Sequence, residues 1–259
     1  MGDTDTTDSQ PVGKSCLSFT VQAEWGHFRR VEGNIVKQSY RLMPRTTVAG
    51  MLAAVLGIER NEYYDLFGED TSAIAIEPCG ELRTMNIPIN TLSTAKANIE
   101  MHPSHGHARI GLPDPTDLRQ QHNYEMLVDP EYRIDCWIDD DKTYSELHHR
   151  LSEGKSYYPP SLGLSECLAS ISYNGEYIIE ETATPDPEVD SAVVETVDDI
   201  VLEPETLVRT ERSPGFMRAD GKGRITTGFI SYGYSPHGES LTVRDGDACI
   251  VDDRTVMFS

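Results

Sequence analysis

From Cys16 to Glu24 apolar and polar residues alternate in a β-rich run, and period two predicts a strand. Val48, Met51, Leu52, Val55 and Leu56 then recur at the spacing of one helix face. Pro44-Arg45-Thr46 marks the start of that helix, with Thr46 as the expected N-cap, and Gly57 ends it. Ala73 to Ile87 holds two short extended runs broken by Pro78 and Gly80, a second strand with a turn or bulge. Tyr132 to Ile138 is a third. Thr143 and Glu146 form a capping-box pattern, and Tyr144, Leu147 and Leu151 put one face of a second helix inward. Glu166 to Ile179 reads as a further strand, or a hairpin around Asn174-Gly175.

The order β-α-β-β-α-β predicts an α+β, ferredoxin-like domain of four antiparallel strands with two helices on one face. RRM-type RNA readers share that arrangement and carry RNA on the open sheet face or edge. The domain is expected over residues 15–180, after a disordered tail at 1–14. About 36 residues of low periodicity separate Ile87 from Tyr124. So long a connection inside a compact domain is usually functional, and here it can project as a hairpin over about 88–123. Residues 181–205 are acidic and Pro-containing, an expected linker or surface loop. Residues 206–259 carry Gly-rich short strands, an expected small C-terminal β-rich extension.

Charge changes the picture. Forty-three acids against 22 Lys and Arg give −21 over 259 residues, and only six of the cations are lysine. Such a surface repels itself in dilute buffer, whereas at 1 M salt the Debye length falls to about 3 Å. The acidity therefore reads as adaptation to a salt-rich cytoplasm. The sum hides an exception: Arg29, Arg30, Lys37, Arg41 and Arg45 stand against Glu32 alone between Phe28 and Thr47. Residues 180–211 hold eleven acids against Arg209. Five cysteines without a CxxC spacing read as reduced thiols of a cytoplasmic protein. The polar first ten residues do not read as a signal peptide, and no stretch reaches the ~20 apolar residues of a membrane span.

Two stretches together resemble the CRISPR-associated Cas family five. One is Trp25-Gly26-His27-Phe28-Arg29-Arg30 followed by Pro44-Arg45-Thr46 and the helix to Leu56-Gly57. The other is Asp129-Pro130-Glu131-Tyr132-Arg133-Ile134 followed by Tyr157-Tyr158-Pro159-Pro160-Ser161-Leu162-Gly163. Met85-Asn86 is similar to the start of that family's thumb hairpin. The resemblance covers roughly residues 16–180. It implies a RAMP-type ferredoxin fold, a thumb from the long connection, and a grip on the 5′ handle of crRNA in a type I Cascade complex. It also implies partners: the backbone subunit, the large subunit, and target DNA reached only through the complex. The acidic composition suits the haloarchaeal type I-B branch. No membrane partner is expected.

The basic arc Arg29, Arg30, Lys37, Arg41 and Arg45 is expected to contact phosphates, because guanidinium forks pair with them bidentately. Thr46, Thr47 and the free N–H groups at that helix start add an anion site. Counterion release contributes little in molar salt, so hydrogen bonds and stacking must carry the affinity, with Trp25, Phe28 and Tyr40 as platforms. Asn86, Lys96 and Arg109 complete the expected RNA-contacting set. His102, His105 and His107 invite a zinc reading but lack an adjacent fourth ligand, so no metal or cofactor is expected. Neither is catalysis. A branch of the family cleaves repeat RNA with Tyr, Lys and His, and here Tyr40, Lys96 and one of His102, His105, His107 or His122 are the alternative set. The third alternative is a generic RNA-binding module. No P-loop, GxSxG or HExxH is present.

Overall fold

The computed structural model describes residues 10–30, 36–92, 98–101, 108–111, 119–221 and 223–259. Its principal elements in chain order are β1 (Ser15–Gln22), α1 (Arg45–Leu56), β2 (Ser72–Pro78), β3 (Arg83–Leu92), β4 (Arg119–Val128) and β5 (Glu131–Ile138). They continue as α2 (Asp141–Ser152), β6 (Ser170–Ile178), β7 (Arg209–Asp220), β8 (Gly223–Tyr234), β9 (Cys249–Val251) and β10 (Arg254–Val256). The central sheet runs β6-β1-β5-β2, every neighbour antiparallel.

Alternation sorts its two faces. Leu17, Phe19 and Val21 lie opposite Cys136, Ile134 and Tyr132, which in turn continue to Ile74, Ile76 and Pro78. Of these Leu17, Phe19, Val21, Ile74, Ile76, Tyr132, Ile134 and Cys136 are buried in one core with Val48, Met51, Leu52 and Val55 of α1 and Leu147 and Leu151 of α2. Each such aliphatic side chain stabilises the fold by about 1.5–3 kcal/mol on burial. Leu56 and Tyr144, expected inward, are half-buried at the edge of that core.

The opposite sheet face is not open. Cys16, Ala73 and Ala75 on it pack with Ile179, Cys249, Val251, Val256 and Phe258. Beside them Arg254 of β10 donates from Nη2 to both Asp135 carboxylate oxygens at 2.8 Å each, and from Nη1 to Glu77 at 2.5 Å. The face that RRM-type readers leave to RNA is thus occupied by the chain's own C-terminal strands.

Other local expectations shift for local reasons. The N-cap of α1 is Pro44, extended at φ −63°, with no side-chain cap, and Thr46 lies inside the helix. Asp140, not Thr143, caps α2: its carboxylate accepts from Thr143 N at 2.7 Å. Asn174-Gly175 is not a hairpin turn, because β6 runs through it and pairs with β1 along its length. The register slips between Phe19↔Tyr173 and Ser18↔Gly175, a one-residue bulge.

Of the expected tail, residues 1–9 lie outside the described set, while Gln10 accepts from Phe258 N and Gly13 donates to Ile179 O. The acidic stretch 181–205, expected as linker or surface loop, buries Val189, Ala192, Val193 and Ile200 against the body. The glycine-rich C-terminal stretch holds the long β7/β8 hairpin, and β7 packs across α1. Among the described residues no helix is long and apolar enough to cross a membrane.

Candidate nucleic-acid interface

Between β2 and β5 the chain leaves the central sheet as an antiparallel ribbon. β3 and β4 pair over ten residues, from Arg83↔Val128 to Leu92↔Arg119. Farther out Asn98–Met101 pairs with Ala108–Gly111. The basic segment folds against the base of this ribbon. Phe28–Arg29 pairs with Ser39–Tyr40, and Val36–Lys37 lies parallel to β4 at Asn123 and Tyr124.

Within that hairpin the cations meet different fates. Arg29 is exposed and Arg30 and Lys37 are half-buried. Arg30 lies 5.0 Å from the Tyr40 ring centroid, a cation–π contact that holds it on the surface. Arg41 sits 3.5 Å from Glu125 and 3.4 Å from Thr84 Oγ1, both long contacts. The second Glu125 oxygen accepts from Ser39 N at 3.1 Å, which fixes the carboxylate against the hairpin. Asn86 is exposed directly across the ladder from Glu125.

Several expected contacts fall elsewhere. Arg45 is 0% exposed, with its guanidinium bonded to Ser259 O, Phe67 O, Gly68 O and Ser72, and stacked 4.4 Å from the Phe216 ring. It has no face left for a phosphate. Phe28 is buried with its ring 6.0 Å from that of Tyr132, a core residue rather than a platform. Trp25 is half-buried beside a depression of about 710 Å³ lined by Glu24, Asp129, Glu131 and Glu166, a wall that repels phosphate.

At the expected helix-start anion site the chain supplies its own acceptor for two N–H groups, and a carboxylate stands against the turn that precedes the helix. Thr47 N and Val48 N donate to Pro44 O, and the Glu211 carboxylate accepts from Arg41 N and Leu42 N at 3.0 and 3.1 Å. Burial pushes the Glu211 pKa up, and those two backbone donors pull it back. Thr46 faces a small cavity beside Tyr63, Tyr64 and Met217. Lys96, His102, His105 and His107 lie outside the described residues. Arg109 is described only in its backbone, where it pairs with Glu100.

What remains facing solvent is Arg29, Arg30 and Lys37 along the hairpin, with Arg41 and Asn86 at the foot of the β3/β4 ribbon. A two-helix, sheet-rich body carrying such a basic ribbon base agrees with a family-level match: the model described as CRISPR-associated protein (Cas_Cas5) fits residues 16–225. The chain belongs to the Cas5 family.

No curated protein matches this Cas5-family chain. Among solved structures it is similar to a CRISPR protein from Archaeoglobus fulgidus, 12% identical over 94% of this chain and 98% of that one, with a TM-score of 0.53. A chain of a CRISPR RNA-guided surveillance complex (12% identical, 87% and 91% covered) gives 0.47. One from a type III-B Cmr-beta assembly bound to cognate target RNA and AMPPnP (12%, 89% and 86%) gives 0.46. At such identities the likeness of the first speaks for the fold alone. Sequence reasoning missed one group of cations that the Cas5 fold brings to the same side: Arg83 at the start of β3 and Arg209 at the start of β7. The signal was present, since Arg209, Arg212, Arg218, Lys222 and Arg224 stand against only Glu211 and Asp220, but the acidic run before them masked it.

Proposed function

We propose that this chain is the RNA-binding subunit of a type I CRISPR Cascade complex, holding the 5′ handle of crRNA and capping the backbone-subunit filament. The observation that carries this reading is the solvent-facing set Arg29, Arg30 and Lys37 at the foot of a long two-stranded ribbon, in a Cas5-family chain otherwise covered in carboxylates. The chain order β1-α1-β2-β5-α2-β6 and the sheet order β6-β1-β5-β2 support reading the body as ferredoxin-like. The β3/β4 ribbon is then the thumb. Membership of the Cas5 family supports a place in a CRISPR effector complex, in this reading beside a backbone subunit and a large subunit, with target DNA met through the complex. The salt-adapted composition supports a haloarchaeal, type I-B setting.

The subunit is non-catalytic in this reading. Tyr40, the hydroxyl of the alternative cleavage set, is largely buried beneath Arg30, and His122 Nε2 lies 3.3 Å from the Gln120 side chain. The test uses repeat-derived RNA and purified full chain at molar salt. Arg29→Ala with Arg30→Ala is expected to weaken binding about tenfold or more, since even one charge-assisted contact contributes roughly 1.5–3 kcal/mol, and to leave the melting temperature unchanged. Unaltered affinity would sink the reading, and specific cleavage of the RNA by the wild-type chain would restore the nuclease alternative.

A further inference from the structure

A surface depression of about 390 Å³ lies where the start of β3 meets the C-terminal part of the chain. Arg41, Arg83, Arg209 and His237 line it, with Thr84 and Glu81. Its volume is within the roughly 300–1,000 Å³ of small-ligand sites. In a chain with 43 acids, three arginines drawn from three distant segments line one depression without a short ion pair. Arg83 is 3.9 Å from Glu81 and 3.6 Å from Asp129, all three side chains more than half exposed. Pairs so long and so exposed contribute little. Arg209 is exposed and forms no ion pair among the described residues. Arg41 keeps its 3.5 Å contact to Glu125.

The walls of the depression are tied together. Leu82 N donates to Pro236 O at 2.8 Å. Gly238 sits at φ +74°, where a Cβ would lie 2.7 Å from Pro78 O and from Gly80 N, so the two turns touch backbone to backbone. Cations on a fixed frame avoid ordering costs when a ligand arrives. A planar guanidinium fork donates two parallel hydrogen bonds to two phosphate oxygens, a geometry that a lone halide cannot accept.

We propose that Arg83, Arg209 and Arg41 form a phosphate pocket that seats one backbone phosphodiester of the bound RNA. This rests on the RNA-binding reading above and extends the RNA path from the β3/β4 ribbon onto the C-terminal part of the chain. Short guanidinium–phosphate hydrogen bonds persist where molar salt has screened the long-range field, which suits a protein of this composition.

The experiment measures affinity of the full chain for repeat-derived RNA at molar salt, with Arg29→Ala/Arg30→Ala as a parallel variant. Arg83→Ala/Arg209→Ala is expected to bind about ten- to a hundredfold more weakly. Arg83→Lys/Arg209→Lys is expected to recover only part of that loss, because an ammonium cannot chelate two oxygens. In RNAs carrying a single neutral methylphosphonate, one linkage should weaken wild-type binding yet have no effect on Arg83→Ala/Arg209→Ala. If Arg29 and Arg30 matter but Arg83→Ala/Arg209→Ala binds like wild type, the pocket assignment fails while the RNA-binding reading stands. Stabilisation of the wild type by inorganic phosphate, lost in Arg83→Ala/Arg209→Ala without change in RNA affinity, would assign the pocket to a free anion and overturn the proposal. No RNA binding by the wild type at all would end both.

Discussion

Arg45 shows how far a residue's role depends on what surrounds it. In the sequence it continues a basic run, yet the fold seals it under β7 and gives its guanidinium main-chain and hydroxyl oxygens as partners. Desolvation lowers its pKa. Arg45→Ala is therefore expected to destabilise the chain by about 3 kcal/mol or more, through several buried acceptors left unpaired. Chemical denaturation checks this, and a loss of RNA affinity without loss of stability would contradict it. His27 carries a pH dependence. Its ring is buried, with Nδ1 3.0 Å from Glu125 O, and burial lowers its pKa below the ordinary 6.5. On acidification the unfolded chain takes up this proton first, near 6.5, and the folded chain only at lower pH. Stability contributed by neutral His27 is thus complete above 6.5 and is lost as pH falls below it. His27→Gln should flatten that part of a stability–pH curve, and an unchanged slope would exclude His27 as its source.

At the scale of elements, the amphipathic helix α1 was legible because its apolar spacing is local and its stop needs Gly57 at φ +78°. How its end is satisfied was not. Tyr158 N and Tyr157 N donate to Ala54 O and Val55 O at 3.0 and 3.1 Å, so a loop a hundred residues away closes the helix. That loop ends at Gly163, φ +90°, where a Cβ would fall 2.0 Å from His27 O. Gly163→Ala must move either the loop or the His27–Phe28 strand, which carries Arg29. It is expected to lower the melting temperature and weaken RNA binding together, and a variant that melts like wild type would show the loop to be loosely held. Asn174-Gly175 shows the opposite limit. The same dipeptide serves a two-residue turn or a bulge, and only the pairing of β6 with β1 along its length selects the bulge.

Across the whole molecule the C-terminal strands decide most. Arg254 joins β10 to Asp135 on β5 and Glu77 on β2, with Asp135 1% exposed. Removing the cation alone leaves a buried carboxylate without its partner. Arg254→Ala should cost about 3–5 kcal/mol, read as a shifted denaturation midpoint. A shift of only a few tenths would mean that water reaches Asp135 and the sheet face is less sealed than its burial implies. By itself the sequence determined the apolar faces of both helices, the acidic composition and the basic run from Arg29 to Lys37, because each follows from short-range spacing and composition. Tertiary structure alone decided that Arg45 and Phe28 turn inward, that the second sheet face is covered, and that Arg41, Arg83 and Arg209 share one depression. Such outcomes depend on contacts between residues far apart in the chain, and these have no signature in local periodicity.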